Sequence, residues 1–505
     1  MLQTIRLRKT NQLFMTTIVT LLVSAMVILP VSAKQAVPGQ KTTGKNTKIK
    51  GKAPVNKDVL KVTLPKPYEA TLKNGLTVLI LQDSRSPKLP TVSMQLQIAG
   101  AGDLFDPKDI PGLASVTASM LREGTKTRTS DQISAAIDEA GASLGAGAGF
   151  GSSAATVTAS GISDNIDMLL DYMADITLNP VFPEKELTRQ LTNQKIGLQN
   201  LRTNAAFLAN ERFNKAVYGD HPASVRTTSA DALAKITPET LKAFHDSHYW
   251  AGNAILAIAG DVDIKDVMPK IEKAFGSWEK GTSPDMKWPE PPTPAKSTIY
   301  LVDRPNSVQT NLVLGNLGIT RTNPDYFPLL VMNRVVGGGA TARLFMNLRE
   351  DKGYTYGAYS GFSSLQYPGT WSASSEVRTD VTDGSMKEFM YELNRIRNEK
   401  VPEKELEEVK RSLIASFALS LENPQSALSN AIVSKIYHLP ANYWDTYTDK
   451  IAAITADDVQ RAAKKYVAVD HMTIVAVGDG NKIKDILKKY GDVEVYSIDG
   501  QKVGS

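Results

Sequence analysis

Apolar and polar positions change period several times along the chain, and each change marks an element. Residues 91–99 alternate apolar and polar side chains, and residues 76–82 form a short apolar run; both read as strands. Asn74-Gly75 is a hairpin-type turn that joins 70–72 to the first of them. The period then becomes helical. Leu113, Val116, Met120 and Leu121 recur at the spacing of one helix face over residues 112–123 and should meet a core. Thr129 caps the next helix, with Gln132 in capping-box position, and Gly141 ends it. Residues 155–160 read as a strand. Helices follow over 164–176 (Ser163 as N-cap), 184–217 and 238–249, broken where turn residues intervene, and 254–259 closes the sheet. Helices grouped against an antiparallel sheet define the class as α+β.

The chain repeats itself. Pro183-Glu184-Lys185-Glu186 recurs as Pro402-Glu403-Lys404-Glu405, Ile236-Thr237 as Ile454-Thr455, and Ala257-Ile258-Ala259-Gly260-Asp261 as Val475-Ala476-Val477-Gly478-Asp479. The offset is 218 or 219 residues each time. A near-constant offset over three separate segments implies two tandem copies of one fold. The expected organisation is a first domain over 65–279, a Pro-rich linker over 280–297 and a second domain over 298–505. Pro289, Pro291, Pro292 and Pro294 should make the linker stiff.

The ends of the chain change the reading of its charge. Residues 1–33 open with Arg6, Arg8 and Lys9, continue through a largely apolar run and close on Val31-Ser32-Ala33, the pattern of a secretory signal peptide. Residues 34–64 form a Lys-rich, Gly/Pro-dotted tail that reads as disordered. Residues 1–33 carry +3 and residues 34–61 carry +7, so −5 of the whole-chain +5 remains for residues 62–505. That balance argues against nucleic-acid binding. No cysteine occurs, which excludes disulfides and lipid attachment through Cys. A periplasmic protein of a Gram-negative bacterium, free of the membrane once the signal is removed, is the expected setting.

Candidate chemistry centres on Gly112-Leu113-Ala114-Ser115-Val116-Thr117-Ala118-Ser119-Met120-Leu121-Arg122-Glu123-Gly124-Thr125. Ser115, Ala118 and Ser119 stand at i, i+3 and i+4 and share a helix face. An inverted zincin places His-x-x-Glu-His on such a face, with two imidazoles on zinc and the Glu as general base. The Gly-Leu-Ala before and Met-Leu-x-x-Gly-Thr after these positions resemble the insulinase/pitrilysin metallopeptidase family. The resemblance runs from about residue 65 to 500. It implies two α/β-roll domains closing like a clamshell around a peptide chamber. It also implies that Ser, Ala and Ser stand where the family has His, Glu and His. The family's third ligand, a Glu about 75 residues further on, falls at Lys195 when the helix 185–201 is matched to that segment. A lysine would set a like charge against zinc. No zinc is therefore expected in this chain.

The second copy retains a further likeness. Leu344-Phe345-Met346-Asn347-Leu348-Arg349-Glu350-Asp351-Lys352-Gly353-Tyr354-Thr355-Tyr356 resembles the family's C-domain signature, in which an Arg and a Tyr seven residues later reach a zinc site. Arg349 and Tyr356 match that pair. A Tyr hydroxyl can donate to an oxyanion, and an Arg fork can hold substrate carbonyls. Other motifs carry less. The glycine-rich run 145–151 precedes a strand, not a helix, so it is no dinucleotide fingerprint. It reads as a smooth edge to which a peptide could add as a strand, or as plain structural glycine. Gly337-Gly338-Gly339 should end the helix 325–336. His245 and His248 stand at i, i+3 without an evident carboxylate partner, which favours packing over a zinc site.

These observations lead to an expected role and two others. The leading expectation is a non-catalytic subunit of a periplasmic zinc peptidase. A partner of the same family, as in the mitochondrial processing peptidase, would hold the zinc, in a heterodimer or larger assembly. This chain would supply Arg349, Tyr356 and half of the chamber to peptide substrates. A second possibility is a structural or peptide-binding scaffold, as in the core subunits of respiratory complexes. The third is an active endopeptidase with an unorthodox metal site.

Overall fold

The computed structural model describes residues 64–83, 90–285 and 287–503. The segment read as a signal peptide, and the tail up to residue 63, lie outside the described residues. The first half builds a six-stranded sheet from β1 (Tyr68–Thr71), β2 (Thr77–Gln82), β3 (Thr91–Ala99), β4 (Ser143–Ala148), β5 (Ala154–Ile162) and β6 (Ala254–Gly260). Its order is β1-β2-β6-β3-β5-β4. The second half builds another from β7 (Thr298–Asp303), β8 (Gln309–Leu317), β9 (Thr355–Phe362), β10 (Thr370–Arg378), β11 (Thr473–Gly478) and β12 (Asp492–Tyr496). The order here is β9-β10-β8-β11-β7-β12. Strand for strand, β2-β6-β3-β5-β4 matches β7-β11-β8-β10-β9, so the sequence repeat is a repeat of topology.

The sheets are mixed, where the sequence suggested antiparallel ones. β2 runs parallel to β6, and β7 runs parallel to both β11 and β12. The physical reason is the length of the connection. β2 and β7 each pair with a strand that arrives after a long run of intervening helices, and so long a crossover permits parallel pairing. The outer strands differ between halves: β1 is a hairpin partner of β2, whereas β12 lies parallel to β7.

Local chemistry sets the helices. α1 is Leu113–Met120, prolonged by a 3-10 turn over Leu121–Glu123. Its Leu113, Val116 and Met120, and Leu121 beyond, are buried in the first core. α2 (Ser130–Glu139) starts on the Thr129–Gln132 capping box read from the sequence. Ser163 is not an N-cap: a 3-10 turn over Ser163–Asn165 intervenes before α3 (Ile166–Leu178). The 184–217 segment is α4 (Glu184–Thr203) and α5 (Ala205–Tyr218), broken at Asn204, whose side chain accepts from the Phe207 N–H. Beyond a short helix over Ala230–Ala234 comes α6 (Pro238–His248), capped by Thr237. In the second half, α7 (Tyr326–Val336) occupies the place of α1.

The two halves exchange helices. Leu208, Phe213 and Val217 of α5 pack on Val302, Val313, Val475 and Val477 of the second sheet. In return Ala427, Leu428 and Ile432 of α8 (Pro424–Ile436) pack on Leu79, Leu81, Ala257 and Ala259 of the first. Each such large apolar side chain contributes about 1.5–3 kcal/mol when fully buried. These paired patches fasten the halves to one another. The linker is also fastened. Ser283 Oγ lies 3.1 Å from the carbonyls of Ala99 and His248, and the Trp288 ring meets Phe105, His221 and Tyr367 edge-on. These contacts dock the linker on both halves.

Candidate functional site

α1 presents the motif face. Ser115 and Ser119 are half-buried on it, and Ala118 between them is fully buried at 0 % exposure. Ser119 Oγ donates to the Val116 carbonyl (3.0 Å) and accepts from Gln190 Nε2 of α4 (3.2 Å). The facing helix thus reaches the motif through Gln190. Lys195 is exposed on α4. At about 100° per residue it leaves that helix roughly 140° around from Gln190. Positions 190, 194 and 197 share a stripe instead. Among the described residues, no hydrogen bond or ion pair joins Lys195 to Ser115 or Ser119.

The residues present do not suit zinc. Hydroxyls and a methyl group replace the imidazole, carboxylate or thiolate that zinc requires. Among the described residues, no group of three or more His, Asp or Glu side chains is placed to hold a metal ion. His245 and His248 serve packing: His245 Nε2 bonds the Thr177 carbonyl (2.8 Å), His248 Nδ1 bonds the Gly100 carbonyl (2.7 Å), and their rings stack on Tyr249 and Phe244. Burial lowers the pKa of both, which keeps the rings neutral.

The start of α1 carries an acidic pair that sequence reading missed. The N–H groups of Gly112 and Ala114 donate to the Asp106 carboxylate at 2.6 and 2.8 Å. Gly112 adopts φ 95°, and a Cβ there would lie 3.1 Å from the Thr228 side chain. Asp103 is buried nearby, with neither carboxylate oxygen hydrogen-bonded among the described residues. Burial raises Asp103 to about 7, and burial with the Asp103 charge raises Asp106 to about 8. Nearby backbone N–H groups of α1 pull both the other way without prevailing. No capping-box spacing announces Asp106, because it reaches across six residues to the helix.

This pair predicts a pH effect of definite sign. The folded pKa values exceed the unfolded carboxylate value of about 4. The folded chain then binds more protons than the unfolded one between about pH 4 and 8, so stability falls as pH rises through that window. Asp103→Asn should flatten the fall and stabilise the chain at about pH 8.5 by on the order of 2 kcal/mol. Melting curves across pH check this; an unchanged slope in the variant refutes the assignment.

The Arg349 and Tyr356 pair sits on two local irregularities. Residues Met346–Asp351 form a π-helical turn, a feature frequent at functional sites. Arg343 anchors one end through a two-point ion pair to Glu405 (2.8 Å each), and Asn347 bridges Glu388 and Glu392 (3.0 Å each). Arg349 projects from this fixed turn with an exposed side chain, over the Phe345 ring and 3.5 Å from Glu350. Tyr356 stands where the register of β9 against β10 shifts, between Thr355 and Ala358, and is 91 % exposed. Bulges of this kind re-aim side chains. Among the described residues, no hydrogen bond or ion pair links Arg349 or Tyr356 to the motif face.

The glycine-rich run is part of a hairpin. β4 carries Gly145 and Gly147 and is the outer strand of its sheet, beyond β5. Gly147 and Gly149 have open space where a Cβ would stand. The hairpin tip is held from the second half, where the Tyr367 hydroxyl donates to the Gly151 carbonyl (2.8 Å).

Two copies of a mixed six-stranded sheet with helices packed on it, the first carrying a motif helix without zinc ligands, define a tandem α+β fold. Comparison with known proteins agrees. The insulinase (peptidase family M16) model matches residues 81–230, and the peptidase M16 inactive domain model matches residues 235–413. A Rickettsia felis protein named as a zinc protease is 28 % identical over 78 % of this chain and 93 % of its own length. A Bacillus subtilis protein with the same description is 24 % identical over 81 % and 98 %. A Pseudomonas fluorescens structure described as a peptidase M16 inactive domain superposes with a TM-score of 0.75 at 29 % identity, covering 82 % of this chain and 98 % of that one. The fold is shared at 19 % identity with a Helicobacter pylori protease, at TM-score 0.71 over 82 % and 100 % of the two chains. The chain belongs to the insulinase family of peptidases.

Proposed function

We propose that this chain is a non-catalytic subunit of an insulinase-family zinc peptidase, working in the periplasm beside a partner that keeps His-x-x-Glu-His. The observation that carries the reading is the contrast between the halves. The motif helix is intact but has lost every metal-binding side chain. The second half still holds Arg349 and Tyr356 exposed on an anchored turn and a bulged strand. An Arg fork and a phenol without a metal of their own have a use at a partner's site, where a peptide carbonyl is activated. The open outer edge of β4 offers a lane for an extended peptide by strand addition.

The purified chain should hold no stoichiometric zinc and cleave no peptide. Mixed with a homologue that has the intact motif, it should raise peptide hydrolysis above that of the homologue alone. One tightly bound zinc per chain would defeat the proposal, as would a mixture no more active than the homologue.

A further inference from the structure

A cavity of about 470 Å³ lies at the seam of the two halves. None of Ser115, Ala118, Ser119, Arg349 or Tyr356 lines it. Its volume is that of a small-ligand site, in the range of roughly 300–1,000 Å³. Leu198 of α4 and Ile498 give it apolar wall, and residues 497–500 close one side.

The charges on the wall do not cancel. Arg202 and Glu211 satisfy one another in a two-point ion pair at 2.6 Å, and Asp499 sits beside Arg202. Arg212, Lys215 and Arg226 remain, and among the described residues none of the three has a carboxylate within ion-pair distance. Arg212 lies over the rings of Tyr300 and Tyr496 (5.1 and 4.3 Å), and its Nε is buried without an acceptor. Among the described residues, Lys215 and Arg226 bond only backbone carbonyls, those of Gly219 (3.3 Å) and Phe150 (3.1 Å). Glu494, the acidic group near Arg212, is taken by Lys502 (3.0 Å) and the Tyr496 hydroxyl (2.7 Å).

We infer that this cavity binds a carboxylate carried on an apolar peptide. Three cations without carboxylate partners among the described residues select the anion, and Leu198 and Ile498 select the apolar side chain beside it. That the carrier is a peptide rests on the proposed function; the preference for a carboxylate rests on the cavity alone. The carboxylate is either a C-terminus or an acidic side chain, and a titration separates the two.

Isothermal titration of the full chain is run with acetyl-Gly-Ala-Leu-Leu as the free acid, with its C-terminal amide, and with acetyl-Gly-Leu-Glu-Leu amide. The acid should bind at least about tenfold more tightly than its amide, the loss typical of one charged hydrogen bond. Binding of the Glu-containing amide extends the site to side-chain carboxylates, and its absence restricts the site to C-termini; both results support the inference. Lys215→Gln, at an exposed position, should weaken the acid about tenfold and leave the amide unchanged. Arg226→Gln provides a second variant, because Arg212 also carries packing on two tyrosines. Measurable binding of acid and amide with equal affinity, or no binding of any of the three, overturns the inference. So does a free acid that both variants bind as tightly as the wild type. These titrations use no partner chain, so failure of the proposed subunit role would show in the mixing assay and not here.

Discussion

Tyr356→Phe should leave folding and partner assembly intact while lowering the turnover of the reconstituted peptidase about 10²–10³-fold, the usual effect of losing one oxyanion donor. The structural half of this expectation follows from exposure. With 91 % of its surface in water, Tyr356 has little burial to lose, and only one hydroxyl is removed. The kinetic half follows from where the side chain stands. It projects from a register shift at the edge of the second sheet, seven residues after an Arg held on a π-helical turn. Neither Arg349 nor Tyr356 belongs to the second core, to which the turn contributes Leu348. Arg349→Ala should in addition weaken peptide binding, because it removes a charged fork. In a scaffold both variants would change only stability, by about 0.5 kcal/mol or less. The measurement is kcat/KM of the complex beside its melting temperature. Unchanged kinetics in Tyr356→Phe would remove the catalytic role.

Much of this fold is legible in the sequence, for a physical reason. Local signals such as the capping box at Thr129 and the face of Leu113, Val116 and Met120 depend on residues within a few turns. The 218-residue repeat is legible because two copies of one fold must keep the same capping and core positions. What stayed hidden depends on distant partners. The parallel pairing of β2 with β6 is decided across the whole first half, and the exchange of α5 and α8 between halves leaves no local trace. Asp106 caps α1 from a loop whose path no spacing rule gives. The register of the facing helix was the subtlest point. Counting along the chain selects Lys195, but rotation about α4 puts Gln190 against Ser119, and a shift of five residues turns a side chain away from its target.

Rebuilding the metal site should expose how far the fold has closed over it. Ala118 has no exposed surface, so Ala118→Glu alone forces a longer side chain and an unpaired carboxylate into packed space. Overpacking costs about 1–3 kcal/mol and an uncompensated buried charge about 3–5, so a loss of 3 kcal/mol or more is expected. Ser115→His and Ser119→His fall at half-buried positions and should be tolerated better. Adding all three changes still leaves zinc one ligand short. The third protein ligand should come from Gln190→Glu, because Gln190 already touches Ser119. It should not come from Lys195→Glu, whose side chain points into solvent on another face of α4. The four-site variant with Gln190→Glu should retain zinc through gel filtration and melt at a higher temperature when zinc is added, since a ligand of the folded state stabilises it. Its counterpart with Lys195→Glu should do neither. Stoichiometric zinc in the Lys195 variant would reverse the register of α4. An Ala118→Glu chain that melts with the wild type would show that the motif face kept room for its lost base.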